Sequence, residues 1–132
     1  MNREIKFRGK TKNGEWRFGF YHKDKDGDYI LTEINVFEVL PETIGQFTGL
    51  HDKNGKEIYE GDIIKFIHSP EYLKNTLVGV VITDKYNNWC LKINQEIHNK
   101  LGYKDENEFH IENAINSDLI GNIHDNKEML SN

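Results

Sequence analysis

The sequence lacks the paired cysteines that stabilise small secreted proteins and the long apolar stretches that anchor proteins in membranes. It contains one cysteine, Cys90, so no disulfide can form within the chain. Because Trp89 and Leu91 flank it, we expect Cys90 to be a small buried hydrophobic residue rather than a nucleophile. The longest apolar stretch, Val78 to Ile82, is far too short to span a bilayer. The N-terminus, MNREIKFRGK, lacks the apolar core of a signal peptide. These absences predict a cytoplasmic protein.

The sequence also lacks the short motifs that mark common enzymes. It has no P-loop, no dinucleotide-binding glycine pattern after a strand and no nucleophile elbow. No histidine lies at short spacing from another histidine or from the cysteine, so no zinc signature exists. We therefore predict no cofactor and no metal, and expect a protein that is not an enzyme. The alternative function is that of a small hydrolase whose site is assembled from His and Asp residues far apart in the sequence. The histidines are His22, His51, His68, His98, His110 and His124.

One acidic stretch has the spacing of a calcium-binding loop. With His22 as its first position, Asp24, Asp26 and Glu33 fall at positions three, five and twelve. The first position should be aspartate, however, and the flanking residues have strand patterns rather than helical ones. We therefore interpret the stretch as an acidic hairpin turn at Asp26-Gly27.

The length and charge distribution describe one acidic domain with a basic end. At 132 residues the chain has the size of a single domain, which we predict to cover 1–132. Residues 1–17 carry six basic and two acidic side chains, a net of +4, whereas the whole chain is −5. Such a basic end can bind an anionic partner, or it can dock on the acidic part of the same or another subunit.

Alternating apolar residues and tight turns organise the chain into short strands. Turn signals at Asn13-Gly14, Asp26-Gly27 and Asn54-Gly55 separate runs with the period of two that half-buried strands show. We predict a three-stranded meander over 3–32 and leave 33–40 undecided. Further strands are predicted from about 44 to 51 and at 56–59, 63–68, 77–82, 89–93, 109–111 and 118–124, with a short helix over 94–103. Many short strands joined by turns predict a mainly β fold of antiparallel hairpins, open or partly closed into a barrel, with one or two short helices.

Two surfaces are candidates for binding. The first is a basic sheet face formed by Lys6, Arg8 and Lys10 on one strand with Arg17 on the next, which could hold a single-stranded nucleic acid. The acidic total charge argues against that ligand. The second is a possible partner-binding edge at Gln46, Phe47 and Thr48, where glycines on both sides would let another backbone approach. The alternative is that Gln46 and Thr48 satisfy buried backbone groups.

Three ordered motifs resemble the YopX family of phage and prophage proteins. They are REIKFRGK at the start, ETIGQFTGLHDKNGKEIYEGDIIKF over 42–66, and DLIGNIHDNKEML near the end. Gly9 stands where an alanine is more usual in the family, and Lys127 where a proline is. The resemblance implies a β-rich or mixed fold carried by mobile genetic elements, and it supplies no established activity or ligand that could be assigned to residues of this sequence.

Taken together, the residues and the resemblance favour a non-enzymatic accessory protein of a phage. We expect it to bind a host or phage protein, or to form a homo-oligomer. A nucleic-acid-binding module that uses Lys6, Arg8, Lys10 and Arg17 is the alternative, and no membrane partner is expected.

Overall fold

The structure, a computed structural model, describes residues 5–67, 76–93, 108–110 and 116–126. Of Ile67, Thr76 and 108–110 only the backbone is described. The chain divides into two compact units, Met1–Gly49 and Leu50–Asn132. The prediction that the whole chain acts as one domain stays a prediction.

The described residues form eleven strands. Their bounds are β1 Phe7–Lys10, β2 Trp16–Asp24, β3 Gly27–Leu31, β4 Val36–Val39, β5 Gly45–His51, β6 Glu57–Tyr59, β7 Asp62–Ile67, β8 Thr76–Thr83, β9 Trp89–Ile93, β10 Glu108–His110 and β11 Asp118–Asn122. A 3-10 turn, Pro41–Thr43, follows β4.

The predicted fold class is confirmed, because the strands form antiparallel sheets throughout. The three-stranded meander is present as β1, β2 and β3, and each later predicted strand is matched by an observed one. The stretch 33–40, for which no secondary structure was predicted, contains β4. The helix predicted over 94–103 lies outside the described residues.

In the first unit the strands run in the order β4-β3-β2-β1-β5. The sheet curls, because the Leu40 N–H after β4 donates to the Lys10 carbonyl at the end of β1 (2.8 Å). Thr43 supports the same corner, since its Oγ1 accepts the Lys10 N–H at 2.8 Å. β1 and β4 are not ladder neighbours along their length, so the sheet is not a closed barrel.

The second unit begins at the end of β5, which β6 follows as its hydrogen-bonded neighbour. Its own sheet has the order β10-β9-β8-β7-β11. β7 and β8 are interior strands of this sheet, and apolar residues on both faces are typical of such covered strands. The side chains that form the core of this unit are Ile58, Ile64, Phe66, Leu77, Val81, Leu91 and Ile93.

The acidic stretch 22–33 lies in a β-hairpin with its turn at Asp26-Gly27, as its sequence predicted. β2 and β3 pair directly from Phe20 opposite Leu31 to Asp24 opposite Gly27. Asp24 closes the turn, because its Oδ1 accepts the N–H groups of Asp26 (2.8 Å) and Gly27 (3.2 Å). The carboxylate therefore stabilises the local backbone.

Candidate functional site

The pairing register divides the side chains of the first sheet between two faces. Residues directly opposite each other in an antiparallel ladder share a face. Arg8 lies opposite Phe18, and Phe20 lies opposite Leu31, which places these residues on one side, here called the outer face. The other side, the inner face, carries Ile30 and Val39, which are 0% and 4% exposed. One face of this sheet is thus a packed interior.

Three of the four predicted basic residues share the outer face. Lys6, just before β1, and Arg8 and Lys10 within it alternate along the chain, and their cations lie over aromatic rings. The Arg8 guanidinium is 4.6 Å and the Lys10 Nζ 5.7 Å from the centroid of the Trp16 ring, and the Lys6 Nζ is 5.3 Å from that of Phe47. Arg8 is only 7% exposed. The face is therefore a cation–π layer more than an open basic surface.

Arg17 does not join these three residues. It lies opposite Gly9, which places it on the inner face. Its guanidinium stacks on the Phe37 ring at 4.4 Å, and its Nη2 donates to Glu15 Oε2 at 2.7 Å. The predicted four-residue basic face is thus a three-residue face, and Arg17 packs on the other side of the sheet.

The segment at Gln46, Phe47 and Thr48 lies inside the sheet order. β5 lies between β1 and β6, and the Phe47 N–H donates to the Lys6 carbonyl at 2.8 Å. Phe47 and Thr48 are 4% and 6% exposed, and Gln46 lies opposite Phe7 on the inner face. The β1 side of this segment is therefore hydrogen-bonded, and a partner role for these residues stays a prediction.

The outer face carries an exposed apolar surface instead. Phe18 is 46% exposed, Phe20 67% and Val36 64%. Phe20 lies opposite Leu31, which in turn lies opposite Val36, so these three form a row across β2, β3 and β4. We call Phe18, Phe20, Leu31 and Val36 the outer patch. Contiguous exposed apolar side chains of this kind mark interaction surfaces.

A groove of about 510 Å³ borders the outer patch. It is lined by residues of β2, by the two residues before β1, and by the last residue of β3 with the two that follow it. Lys6 and Glu33 are among them, so side chains of opposite charge accompany an apolar lining. The residues that line it are Ile5, Lys6, Phe18, Gly19, Phe20, Leu31, Thr32 and Glu33.

On the inner face a tyrosine and a carboxylate are coupled. The Tyr21 hydroxyl donates to Asp28 Oδ2, and its ring packs against Phe7 with centroids 5.7 Å apart. The hydrogen bond to Asp28, with burial and the negative charge of Asp28, raises the pKa of the Tyr21 phenol. The Tyr21 phenol therefore keeps its proton at neutral pH, and its hydrogen bond to Asp28 ties β2 to β3.

From Leu50 onward the longest sequence motif belongs to the second unit. Asp52 is 5% exposed and accepts three backbone N–H groups, those of Asn54, Lys56 and Leu119. Asp62 is 1% exposed, and its Oδ2 accepts the Tyr59 N–H at 2.7 Å. These carboxylates complete turns, because each satisfies backbone donors that the turn leaves unpaired.

The third motif contains a similar turn at 122–125. Asn122 Oδ1 accepts the N–H groups of His124 and Asp125, both at 2.9 Å. Among the residues described, no group of three or more His, Cys, Asp or Glu side chains could hold a metal ion. Within the same ranges, no helix has the length and apolar character needed to cross a membrane.

The fold and this surface define an antiparallel β protein of two units with an exposed apolar patch on the first. The model of the YopX protein family matches residues 2–131. The chain therefore belongs to the YopX family, as the three sequence motifs predicted. No curated protein gives a significant match.

A solved structure shares the fold. The crystal structure of protein EF1440 from Enterococcus faecalis is similar to this chain with a TM-score of 0.55 and 22% sequence identity. The similarity covers 98% of this chain and 100% of that one. At this identity the likeness concerns the fold alone.

Proposed function

We propose that this YopX-family protein is a non-enzymatic accessory protein of a phage or prophage that acts in the bacterial cytoplasm by binding another protein through the outer patch. The observation that carries the proposal is the exposure of Phe20, 67%, in a row with Leu31 and Val36. Removing one such side chain from water contributes roughly 1.5–3 kcal/mol to a complex.

The chemistry of the partner follows from the patch and its borders. An apolar centre takes aliphatic or aromatic side chains, and the flanking Lys6 and Glu33 favour charges of both signs at its margin. The partner is therefore a protein surface with an apolar centre and a mixed polar rim.

The cations of the outer face argue for a protein over a nucleic acid. Phosphate binding depends on basic side chains that reach solvent. Arg8 is 7% exposed and stacks on Trp16, and Arg17 lies on the inner face. Two of the four residues of the nucleic-acid hypothesis are thus placed where they support the sheet.

The test is a capture from bacterial lysate in which three forms of the protein are compared. Phe20→Ser alters the outer patch, and Tyr86→Ser alters an equally prominent aromatic residue, 72% exposed, in the turn before β9. We expect one protein to bind the wild type and Tyr86→Ser but not Phe20→Ser, before and after nuclease treatment. The purified partner should then show the same order of affinities.

Two results would contradict the proposal. Equal capture by Phe20→Ser and the wild type would exclude the outer patch as the binding surface. Loss of capture after nuclease treatment, with binding that weakens steeply in added salt, would transfer the function to nucleic acid.

A further inference from the structure

Two turns of the chain carry the same dipeptide in the same conformation. Asn13-Gly14 lies between β1 and β2, and Asn54-Gly55 lies between β5 and β6. The two glycines have φ angles of 87° and 83°, and their N–H groups donate to the carbonyls of Thr11 (2.9 Å) and Asp52 (3.0 Å). Both asparagines are exposed. A difference in their chemical behaviour must therefore come from what holds each turn in place.

An asparagine followed by glycine can react with its own backbone. The glycine nitrogen attacks Cγ of the asparagine and gives up its proton, the Cγ–Nδ2 bond breaks, and ammonia leaves with that proton. Water then opens the resulting five-membered succinimide at either carbonyl, which yields aspartate or isoaspartate. Glycine favours this ring closure because it has no Cβ to hinder its nitrogen. The attack requires the asparagine to leave its turn conformation, so the rate depends on how readily the turn opens.

The turn at 11–15 is closed by local hydrogen bonds. The Thr11 N–H donates to the Glu15 carbonyl at 2.9 Å, and the Glu15 N–H donates to Thr11 Oγ1 at 3.2 Å. Within the ranges that the structure describes, residues 11–14 form no hydrogen bond with any residue beyond Glu15. This turn can therefore open without disturbing another element.

The turn at 52–56 is attached to residues far along the chain. The Lys53 N–H donates to the Ser117 carbonyl at 3.0 Å, and Asn54 Nδ2 donates to Asp118 Oδ1 at 3.3 Å. The other oxygen of Asp118 pairs with Lys53 Nζ at 3.0 Å. The amide group that would have to react is thus itself one of the attached groups.

We infer that Asn13 is a site of spontaneous deamidation, whereas Asn54, in the same dipeptide, is protected by its attachment to residues 117 and 118. Opening of the first turn breaks local hydrogen bonds alone. Opening of the second also breaks the bonds of Lys53 to Ser117 and of Asn54 to Asp118. Two additional hydrogen bonds should slow the reaction at Asn54 by about tenfold or more. Water is the co-reactant at both sites.

The product changes the end of the β1–β2 hairpin. Isoaspartate at position 13 adds a methylene group to the backbone of a turn that must bring Lys10 opposite Trp16. The Trp16 ring contacts the cations of Arg8 and Lys10. We therefore expect the isoaspartate form to unfold at a lower temperature than the unreacted protein.

The first experiment ages the purified protein at mildly alkaline pH and measures, by mass spectrometry of its peptides, how fast each asparagine becomes acidic. We expect Asn13 to convert about tenfold faster than Asn54, or more. The same measurement on protein unfolded in urea is the control, because both dipeptides follow a lysine and should then react at similar rates. Equal rates in the folded protein, or the same rate ratio in urea as in the folded state, would overturn the inference.

The second experiment removes the attachment. Asp118→Ala deletes the acceptor of Asn54 and the ion pair of Lys53, so it should accelerate the conversion of Asn54 by roughly fivefold and leave that of Asn13 unchanged. Asp26→Ala, at an exposed position of the β2–β3 turn, is the matched control and should change neither rate. Near-ultraviolet circular dichroism checks that both variants fold. An Asn54 that reacts no faster in the folded Asp118→Ala variant would refute the protection.

Discussion

Asp52 and Leu119, 67 residues apart in sequence, are joined by a hydrogen bond of 3.0 Å from the Leu119 N–H to Asp52 Oδ2. The other oxygen of the same carboxylate accepts the Asn54 and Lys56 N–H groups, both at 2.9 Å. One side chain therefore closes the turn between β5 and β6 and attaches it to β11.

We predict that Asp52→Asn destabilises the protein by about 1–3 kcal/mol, because an amide has only one acceptor oxygen and turns a donor toward one of these N–H groups. Urea denaturation of the variant and the wild type measures the difference. Asp26→Asn, at an exposed position of the β2–β3 turn, is the control and should change stability little. An unchanged midpoint for Asp52→Asn would show that the three hydrogen bonds contribute nothing.

The effect of Asp52 should also depend on pH. Burial alone would raise its pKa, but the N–H groups of Leu119, Lys56 and Asn54 and the charge of Lys56 together lower it below its ordinary value of 3.8. A lowered folded-state pKa stabilises the protein above the unfolded value, and this contribution is lost as the pH falls through the folded value. The difference in unfolding free energy between the wild type and Asp52→Asn should therefore be full at neutral pH and shrink below pH 3.8. A difference that stays constant into this acidic range would contradict the assignment.

Gly19 should be far less tolerant of a side chain than Gly49. A Cβ at Gly19 would collide with the backbone oxygen of Leu31 on the paired strand, which cannot move without breaking the ladder. A Cβ at Gly49 meets nothing within 4 Å, and alanine there has only the strain of a φ of 86°. We predict a loss of about 3 kcal/mol or more for Gly19→Ala and of about 1–2 kcal/mol for Gly49→Ala. Thermal unfolding of both variants checks the order, and the reverse order would refute the close approach of β3.

Arg8 should behave as a structural residue. Its guanidinium packs on Trp16 and it is 7% exposed, so Arg8→Ala should destabilise the protein by about 2 kcal/mol. Lys65→Ala, at an exposed position of β7, serves as the control and should have little effect. Urea denaturation distinguishes the two. If Arg8→Ala is as stable as the control, the stacking contributes nothing and the basic side chain is open to another role.

The strands of this protein could be read from the sequence because their signals are local. Asp26-Gly27 and Asn54-Gly55 lie at hairpins, and the alternation of Trp16, Phe18 and Phe20 marks β2. The stretch 33–40 stayed undecided because Pro41 excludes a helix at Leu40 without specifying what replaces it. β4 forms there through its pairing with β3, which sequence alone does not reveal.

The candidate site was harder to predict. The alternation of side chains along a strand assigns them to two faces of the sheet, but it does not show which face is packed against other residues and which is exposed. Large aromatic residues on β2 predicted a core, yet the inner face is the one that carries Gly9 and Gly19. Val39 packs directly over Gly9, and Ile30 over Gly19, so the glycines mark the closely packed side. That signal was present in the sequence. Arg17 was predicted on the same face as Arg8 but lies on the other one. The reason is related, because a shift of one residue in strand register moves a side chain to the opposite face of the sheet.

The outer patch should become buried when the protein binds its partner. Hydroxyl-radical footprinting measures it most directly, because it reports the solvent exposure of individual side chains before and after the complex forms. We predict that the oxidation rates of Phe20 and Val36 fall in the complex while the rate of Tyr86 stays unchanged. Rates at Phe20 and Val36 that match those of the free protein, with protection found elsewhere in the chain, would contradict the account.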